Sequence, residues 1–164
     1  MQLSEQEIER RKSREELHAM GINPYPAPTF EVNVSAQDIK KNYETNKLDY
    51  KNISIAGRLM SKRIMGKASF AEIQDSTGRI QLYISRDEIC PEEDKSFYNT
   101  VFKKHMDIGD IIGVKGYVFT TQVGEISIHV TELRILSKSL RPLPITKEVK
   151  DDAGNVKRYD AFTD

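Results

Sequence analysis

Phe70, Gln81 and Tyr83 are the residues whose types and spacing first suggest chemistry. Residues 68–75 and 79–85 each alternate apolar with polar side chains, the period of a half-buried strand. Between them Asp75-Ser76-Thr77-Gly78 has Asp first and Gly last, as a type I turn prefers. With Ser76 and Thr77 at the tip and Asp75 opposite Gly78, counting back sets Glu72 opposite Gln81 and Phe70 opposite Tyr83. Ser69, Ala71 and Ile73 then point inward with Ile80, Leu82 and Ile84, and Phe70, Glu72 and Gln74 share the outer face with Arg79, Gln81, Tyr83 and Ser85. A flat ring, an amide and a phenol on one exposed patch suit an unpaired nucleobase. The ring stacks on any base for about 1–3 kcal/mol, and an amide beside it can donate to and accept from the base's Watson–Crick edge.

Further candidates lie on either side of this hairpin. From Glu125 to Leu136 the alternation returns, with Ile126, Ile128 and Val130 expected inward and Glu125, Ser127 and His129 outward. Glu125 thus stands at the mouth of the preceding loop. Between Asn52 and Ala71 the charged residues are Arg58, Lys62, Arg63 and Lys67, with no acid among them. Acids cluster instead in residues 3–16 and 87–94, which hold ten of the 25. Although 25 Lys and Arg balance 25 Asp and Glu, segregated charge can build a positive face on a neutral chain. Taken singly, each residue has a plainer use: Phe70 as a core or covered side chain, Gln81 as a solvated strand residue, the basic run as a polar loop, Glu125 as a turn residue and Tyr83 as a packing partner.

The elements that must position these residues follow from period and punctuation. Residues 3–20 read as a helix, with Ser4 and Glu7 at capping-box spacing and Gly21 at its end. Pro24-Tyr25-Pro26-Ala27-Pro28 favours extended backbone and reads as a stiff strap. A short helix is expected from Ser35, with Ile39 and Tyr43 on one face. Strands are expected from Ile53, over 68–75, 79–85, 111–120 and 125–136, with a helix from Pro91 to His105. Its first turn would carry Glu92, Glu93 and Asp94 and its last Lys103, Lys104 and His105. Five strands with a helix between the third and fourth are the layout of the OB-fold, a mainly β Greek-key barrel with an N-terminal helical extension here. The expected division is 1–52 for extension and strap, 53–137 for the barrel and 138–164 for a linker with a turn at residues 152–155.

A chain of 164 residues is about one domain long. With 38% hydrophobic and 30% charged residues, it has neither the apolar poverty nor the charge excess of a disordered segment. No apolar run approaches the roughly 18 residues of a membrane span, and the charged N-terminus lacks a signal-peptide core, so a cytoplasmic protein is expected. Cys90 is the only cysteine, which excludes an internal disulfide and a cysteine-built zinc site. His18, His105 and His129 show no metal-ligand spacing, and neither a nucleophile elbow nor a phosphate-cradling glycine loop is present. No metal site and no catalytic centre are expected.

The longer strings carry a resemblance. Ala56-Gly57-Arg58, then residues 61–70 (SKRIMGKASF), residues 78–83 (GRIQLY), residues 124–133 (GEISIHVTEL) and the exit Leu140-Arg141-Pro142-Leu143-Pro144 closely resemble the anticodon-binding domain of class II lysyl-tRNA synthetases. Gly21-Ile22-Asn23-Pro24-Tyr25-Pro26 is similar too. The resemblance implies recognition of the U-rich anticodon of lysine tRNA, with Phe70 stacking on the central uridine, Gln81 hydrogen-bonding it, and Arg63 and Glu125 completing the anticodon contacts. Arg58, Lys62, Lys67 and Tyr83 would be supporting RNA contacts. The family's catalytic half, which uses ATP and magnesium and bears a homodimer interface, would lie beyond the linker, so this segment is expected to bind tRNA without charging it and to hold no cofactor itself. Residues 146–162 look like an insertion relative to the family's shorter linkers. A sequence-neutral single-strand-binding OB protein and an aspartyl- or asparaginyl-tRNA synthetase domain remain alternatives.

Overall fold

A computed structural model describes residues 2–25, 30–143, 147–150 and 156–159. Helix α1 (Glu5–Ala19) begins at Ser4, whose hydroxyl accepts the Glu7 N–H at 3.2 Å while the Glu7 carboxylate accepts the Ser4 N–H at 2.9 Å. This is the reciprocal cap expected from the spacing. The helix ends before Gly21, whose φ of +78° lets the chain turn out of the last turn. Residues 26–29, most of the expected strap, lie outside the described residues. Ahead of them Pro24 is buried, its carbonyl accepting the Lys138 N–H at 3.1 Å, and the Tyr25 hydroxyl donates to the Lys138 carbonyl at 2.9 Å. Helix α2 (Ala36–Asn42) is capped twice at its start: the Ser35 hydroxyl accepts the Asp38 N–H, and Asp75 accepts the Ala36 N–H at 2.8 Å.

Strands β1 (Ile53–Met65), β2 (Ala68–Gln74), β3 (Arg79–Ser85), β4 (Ile111–Thr120) and β5 (Ile126–Ser137) close a barrel in the order β1-β2-β3-β5-β4. Only the β3–β5 pairing is parallel. The hairpin register is as counted, with Phe70 opposite Tyr83 and Glu72 opposite Gln81. The inward sets of β2 and β3 are buried together with Ile55, Leu59, Ile112, Val114, Ile128 and Val130. Each such Leu, Ile or Val contributes about 1.5–3 kcal/mol through burial.

One irregularity in β1 sets the direction of everything after it. Leu59 pairs with Ile73, but Ser61 pairs with Glu72, so Met60 is an extra residue in the strand. A bulge of one residue exchanges the two faces downstream. Arg63, which would otherwise share the inward face of Leu59, comes out opposite Phe70. Lys62 takes the inward side opposite the buried Ala71.

The connection from β3 to β4 differs from the single helix expected over 91–105. A short helix α3 (Arg86–Ile89) follows β3 directly, and a π-wound helix α4 (Phe97–His105) comes later. Glu92, Glu93 and Asp94 precede α4 instead of occupying its first turn, since Pro91 interrupts the helical backbone and Asp94 accepts the Ser96 N–H at 2.8 Å. Tyr98, Val101, Phe102 and His105 are buried, and Tyr98 shares a 2.7 Å hydrogen bond with the inward hydroxyl of Ser69. Helix α1 packs on α4, with His105 Nε2 3.1 Å from Glu16 Oε2.

The barrel's exit is held by buried charge. The Lys138 ammonium, fully enclosed, donates to Asp110 at 2.9 Å and also meets Asp107. Burial pushes the Asp110 carboxyl up from its ordinary pKa, and Lys138 opposes that shift. From α1, Arg10 donates to the carbonyls of Ile108 at 2.9 Å and Ser139 at 3.3 Å. Farther on, β6 (Lys147–Lys150) and β7 (Val156–Tyr159) pair antiparallel as a small two-stranded unit; the turn expected at 152–155 lies outside the described residues. Among the described residues no helix is long and apolar enough to cross a membrane.

Candidate nucleic-acid interface

Strand pairing lays two rows of side chains across the outer face. The first runs Arg63, Phe70, Tyr83, His129, Tyr117, each opposite the next on the neighbouring strand. The second runs Ser61, Glu72, Gln81, Ser127, Phe119. In the first row the rings touch in sequence: Phe70 and Tyr83 centroids are 5.4 Å apart, Tyr83 and His129 5.0 Å, and His129 stacks on Tyr117 at 4.7 Å. Phe119 closes on Tyr83 at 6.1 Å and on His129 at 5.6 Å. The result is a continuous aromatic floor across β2, β3, β5 and β4.

Above this floor lies a groove of about 480 Å³ lined by Arg63, Phe70, Gln81, Tyr83, Phe119, His129 and the β4–β5 loop residues Thr121, Gln122 and Val123. Val123, 92% exposed, offers an apolar side chain at its rim. The loop is shaped by bonds from the Thr121 N–H to the Glu125 carbonyl at 2.9 Å and from the Glu125 N–H to the Thr121 hydroxyl at 3.1 Å, with Gly124 at φ +86°. Its geometry puts the Glu125 side chain in solvent beside the groove, outside its lining.

Charge and hydrogen bonding distinguish the residues that are free to engage a ligand. Arg63 holds its guanidinium carbon 5.6 Å from the Phe70 ring centroid and makes no ion pair among the described residues. The Glu125 carboxylate likewise has no partner there. Glu72, by contrast, is held by Arg79 at 3.2 Å, and Arg79 also donates to Gln74 at 2.9 Å. Ser127 faces outward, as alternation places it, yet is fully buried beneath Gln81. Its hydroxyl donates to Gln81 Oε1 at 2.9 Å. His129 Nε2 sits 2.8 Å from Glu88 Oε2 of α3, but off hydrogen-bond alignment, so the contact is an ionic one when the ring is protonated.

The structure divides the expected supporting residues. Tyr83 lies in the floor and Lys67 is exposed in the β1–β2 turn. Lys62 is turned away, a correction that follows from the bulge: its ammonium donates to the carbonyls of Phe102 at 3.0 Å, Lys103 at 3.1 Å and Met106 at 2.5 Å, at the end of α4. Arg58, mid-strand in β1 ahead of the bulge, is also diverted, donating to the Gly109 carbonyl at 2.9 Å. Alternation within one strand could not find Phe119, the His129 contacts or the Ser127–Gln81 bond, because they depend on how β3, β4 and β5 pair.

A closed five-stranded barrel in this strand order, carrying an aromatic and amide face with a loop beside it, defines an OB-fold built for nucleic acid. The tRNA anticodon family, described as an OB-fold nucleic acid binding domain, matches residues 53–136, and the chain belongs to that family. Its relatives are more particular. The chain is 59% identical over 165 residues to the lysine-tRNA ligase of Porphyromonas gingivalis, covering 100% of this chain and 28% of that protein. It is 57% identical to the lysine-tRNA ligase of Azobacteroides pseudotrichonymphae, over 99% of this chain and 31% of that protein. With that of Christiangramia forsetii it shares 55% identity, over 99% of this chain and 27% of that protein. The chain therefore spans less than a third of the length of these relatives.

Proposed function

We propose that this chain reads the U-rich anticodon of lysine tRNA as the anticodon-binding part of a lysine-tRNA ligase, an enzyme that activates lysine with ATP and transfers it to tRNA in the cytoplasm as a homodimer. The observation that carries the reading is the grouping of Arg63, Phe70 and Gln81 around one groove, in a chain whose relatives are named as lysine-tRNA ligases. Phe70 offers the stacking surface, Gln81 the hydrogen-bonding edge beside it, and Arg63 a cation for phosphate or base oxygens. Glu125 adds an acceptor at the rim. The remaining rings of the floor support the bases flanking the one on Phe70.

Magnesium and ATP belong to the whole enzyme's reaction and are given no role in the reading proposed for this chain. Among the described residues no three His, Cys, Asp or Glu side chains gather as metal ligands. The mechanism proposed for this chain is recognition of the anticodon.

Titration of a lysine anticodon stem-loop, beside variants changed at one anticodon base, tests the proposal. Tight binding of the lysine loop and weaker binding of the variants are expected. Equal binding of all of them and of poly(dT), with a steep salt dependence, would instead mark a sequence-neutral single-strand binder.

A further inference from the structure

We propose that Ser127 is the positioning residue that makes Gln81 select uridine over cytidine, an inference that rests on the anticodon-reading proposal above. A glutamine side chain is ambiguous by itself, since its carboxamide presents an acceptor or a donor according to which way it is turned. Here the choice is made from beneath. Ser127 has no solvent exposure, and its single hydroxyl proton has two acceptors in reach: Gln81 Oε1 at 2.9 Å and the Glu125 carbonyl at 3.3 Å. The shorter contact takes it. With Oε1 engaged below, the Gln81 amino group has no partner among the described residues and faces the groove it lines.

A donor fixed at that place discriminates between the pyrimidines. Uracil carries an acceptor oxygen at position 4, which the amino group satisfies. Cytosine carries an amino group there, so two donors would meet. In a groove floored by aromatic rings, a buried donor left without an acceptor costs more than the bond itself gains. Stacking on Phe70 is indifferent to this difference, since either pyrimidine presents the same flat face. Parallel pairing of β3 with β5 sets Gln81 opposite Ser127 and so creates the lock. It also explains why a hydroxyl occupies an outward strand position that water does not reach.

The test compares stem-loops with U or C at the central anticodon position, binding to the whole chain and its variants. Wild-type preference for U must be observed first; its absence would overturn the anticodon reading itself. Given that preference, Ser127→Ala frees the amide to turn over, and the U-to-C ratio should fall about threefold to tenfold, chiefly through tighter binding of the C loop. Ser127→Thr, which restores a hydroxyl, should recover the ratio. Gln81→Glu presents only acceptors and should reverse the preference toward C. An unchanged ratio in Ser127→Ala with wild-type thermal stability would overturn the lock while leaving the anticodon reading intact. Continued preference of Gln81→Glu for U would show that the carbonyl, and not the amino group, faces the base.

Discussion

Arg63 lies over the Phe70 ring, its guanidinium carbon 5.6 Å from the centroid, on strands joined so that the two residues are direct cross-strand partners. A cation held at the ring face by about 0.5–1 kcal/mol is easily moved aside or onto an incoming base. Phe70→Ala should weaken binding of the lysine anticodon stem-loop by about 1–3 kcal/mol, the usual loss for one stacked base. The half-buried ring carries little of the core, so the unfolding midpoint should shift far less. Fluorescence titration checks the first and thermal denaturation the second; unchanged affinity would remove Phe70 from the interface.

Arg63→Gln should lower affinity and also flatten the salt dependence. Removing a cation that neutralises one phosphate reduces the slope of log K against log salt by about one unit or slightly less. A parallel downward shift with the original slope would mean that Arg63 meets a base edge and not the backbone.

Lys62 and Lys67 offer a contrast within one basic run. Lys62→Met removes a charged donor from three carbonyls at the end of α4, and should cost about 1.5–3 kcal/mol of folding stability, the range for a hydrogen bond to a charged group. Its effect on RNA affinity at temperatures where the domain is folded should be small. Lys67→Met should do the reverse, leaving the urea midpoint in place while weakening binding at low salt. Equal RNA losses in the two variants would argue that Lys62 swings out on binding.

That contrast also shows what alternation could and could not read. Strand identity, the Phe70–Tyr83 and Glu72–Gln81 pairs and the inward sets of β2 and β3 all follow from a period of two and one turn of known shape. Arg63 and Lys62 do not, because the extra residue Met60 exchanges the faces of β1 and no side-chain type announces it. The floor's far half is hidden for a different reason: His129 and Tyr117 reach Tyr83 only through a parallel pairing across the 45 residues between Tyr83 and His129, a long-range choice that local pattern does not encode. The helix after Pro91 was legible as an apolar face, but not in its late start or its winding.

Asp75 ties the hairpin to α2 and should give the domain part of its acid sensitivity. Burial alone would raise its carboxyl pKa, but hydrogen bonds from the Thr77 hydroxyl and from the N–H groups of Ala36, Thr77 and Gly78 outweigh burial and hold it below the ordinary carboxylate range. The unfolded chain therefore binds more protons than the folded one in that window. The stability contributed is complete above the unfolded pKa and is lost as pH falls through the folded one. Asp75→Asn should destabilise by about 0.5–2 kcal/mol near neutrality, as loss of a helix cap does. Urea titrations from pH 6 down to pH 2.5 should show the gap between wild type and variant closing; a constant gap would place the effect in side-chain shape and not in charge.

Gly116 should be the least replaceable glycine of the barrel, for a reason of space and not of φ. A Cβ built there would stand 2.0 Å from the His129 carbonyl oxygen, a backbone atom that cannot step aside without carrying β5 with it. The close approach comes where the β4–β5 register shifts between Lys115 and Gly116, at the backbone of the residue that stacks on Tyr117. Gly116→Ala should therefore cost about 1–3 kcal/mol or more, as overpacking a close contact does. It should also displace the His129 ring from the aromatic floor, so that RNA affinity falls even under conditions where the variant is fully folded. Gly124→Ala provides the comparison: its Cβ would meet nothing within 4 Å, but φ is +86°, so strain of about 1–2 kcal/mol falls on the β4–β5 loop alone. Proton NMR of the His129 ring should move strongly in the first variant and little in the second. The same spectrum in both would mean that β4 yields instead of β5.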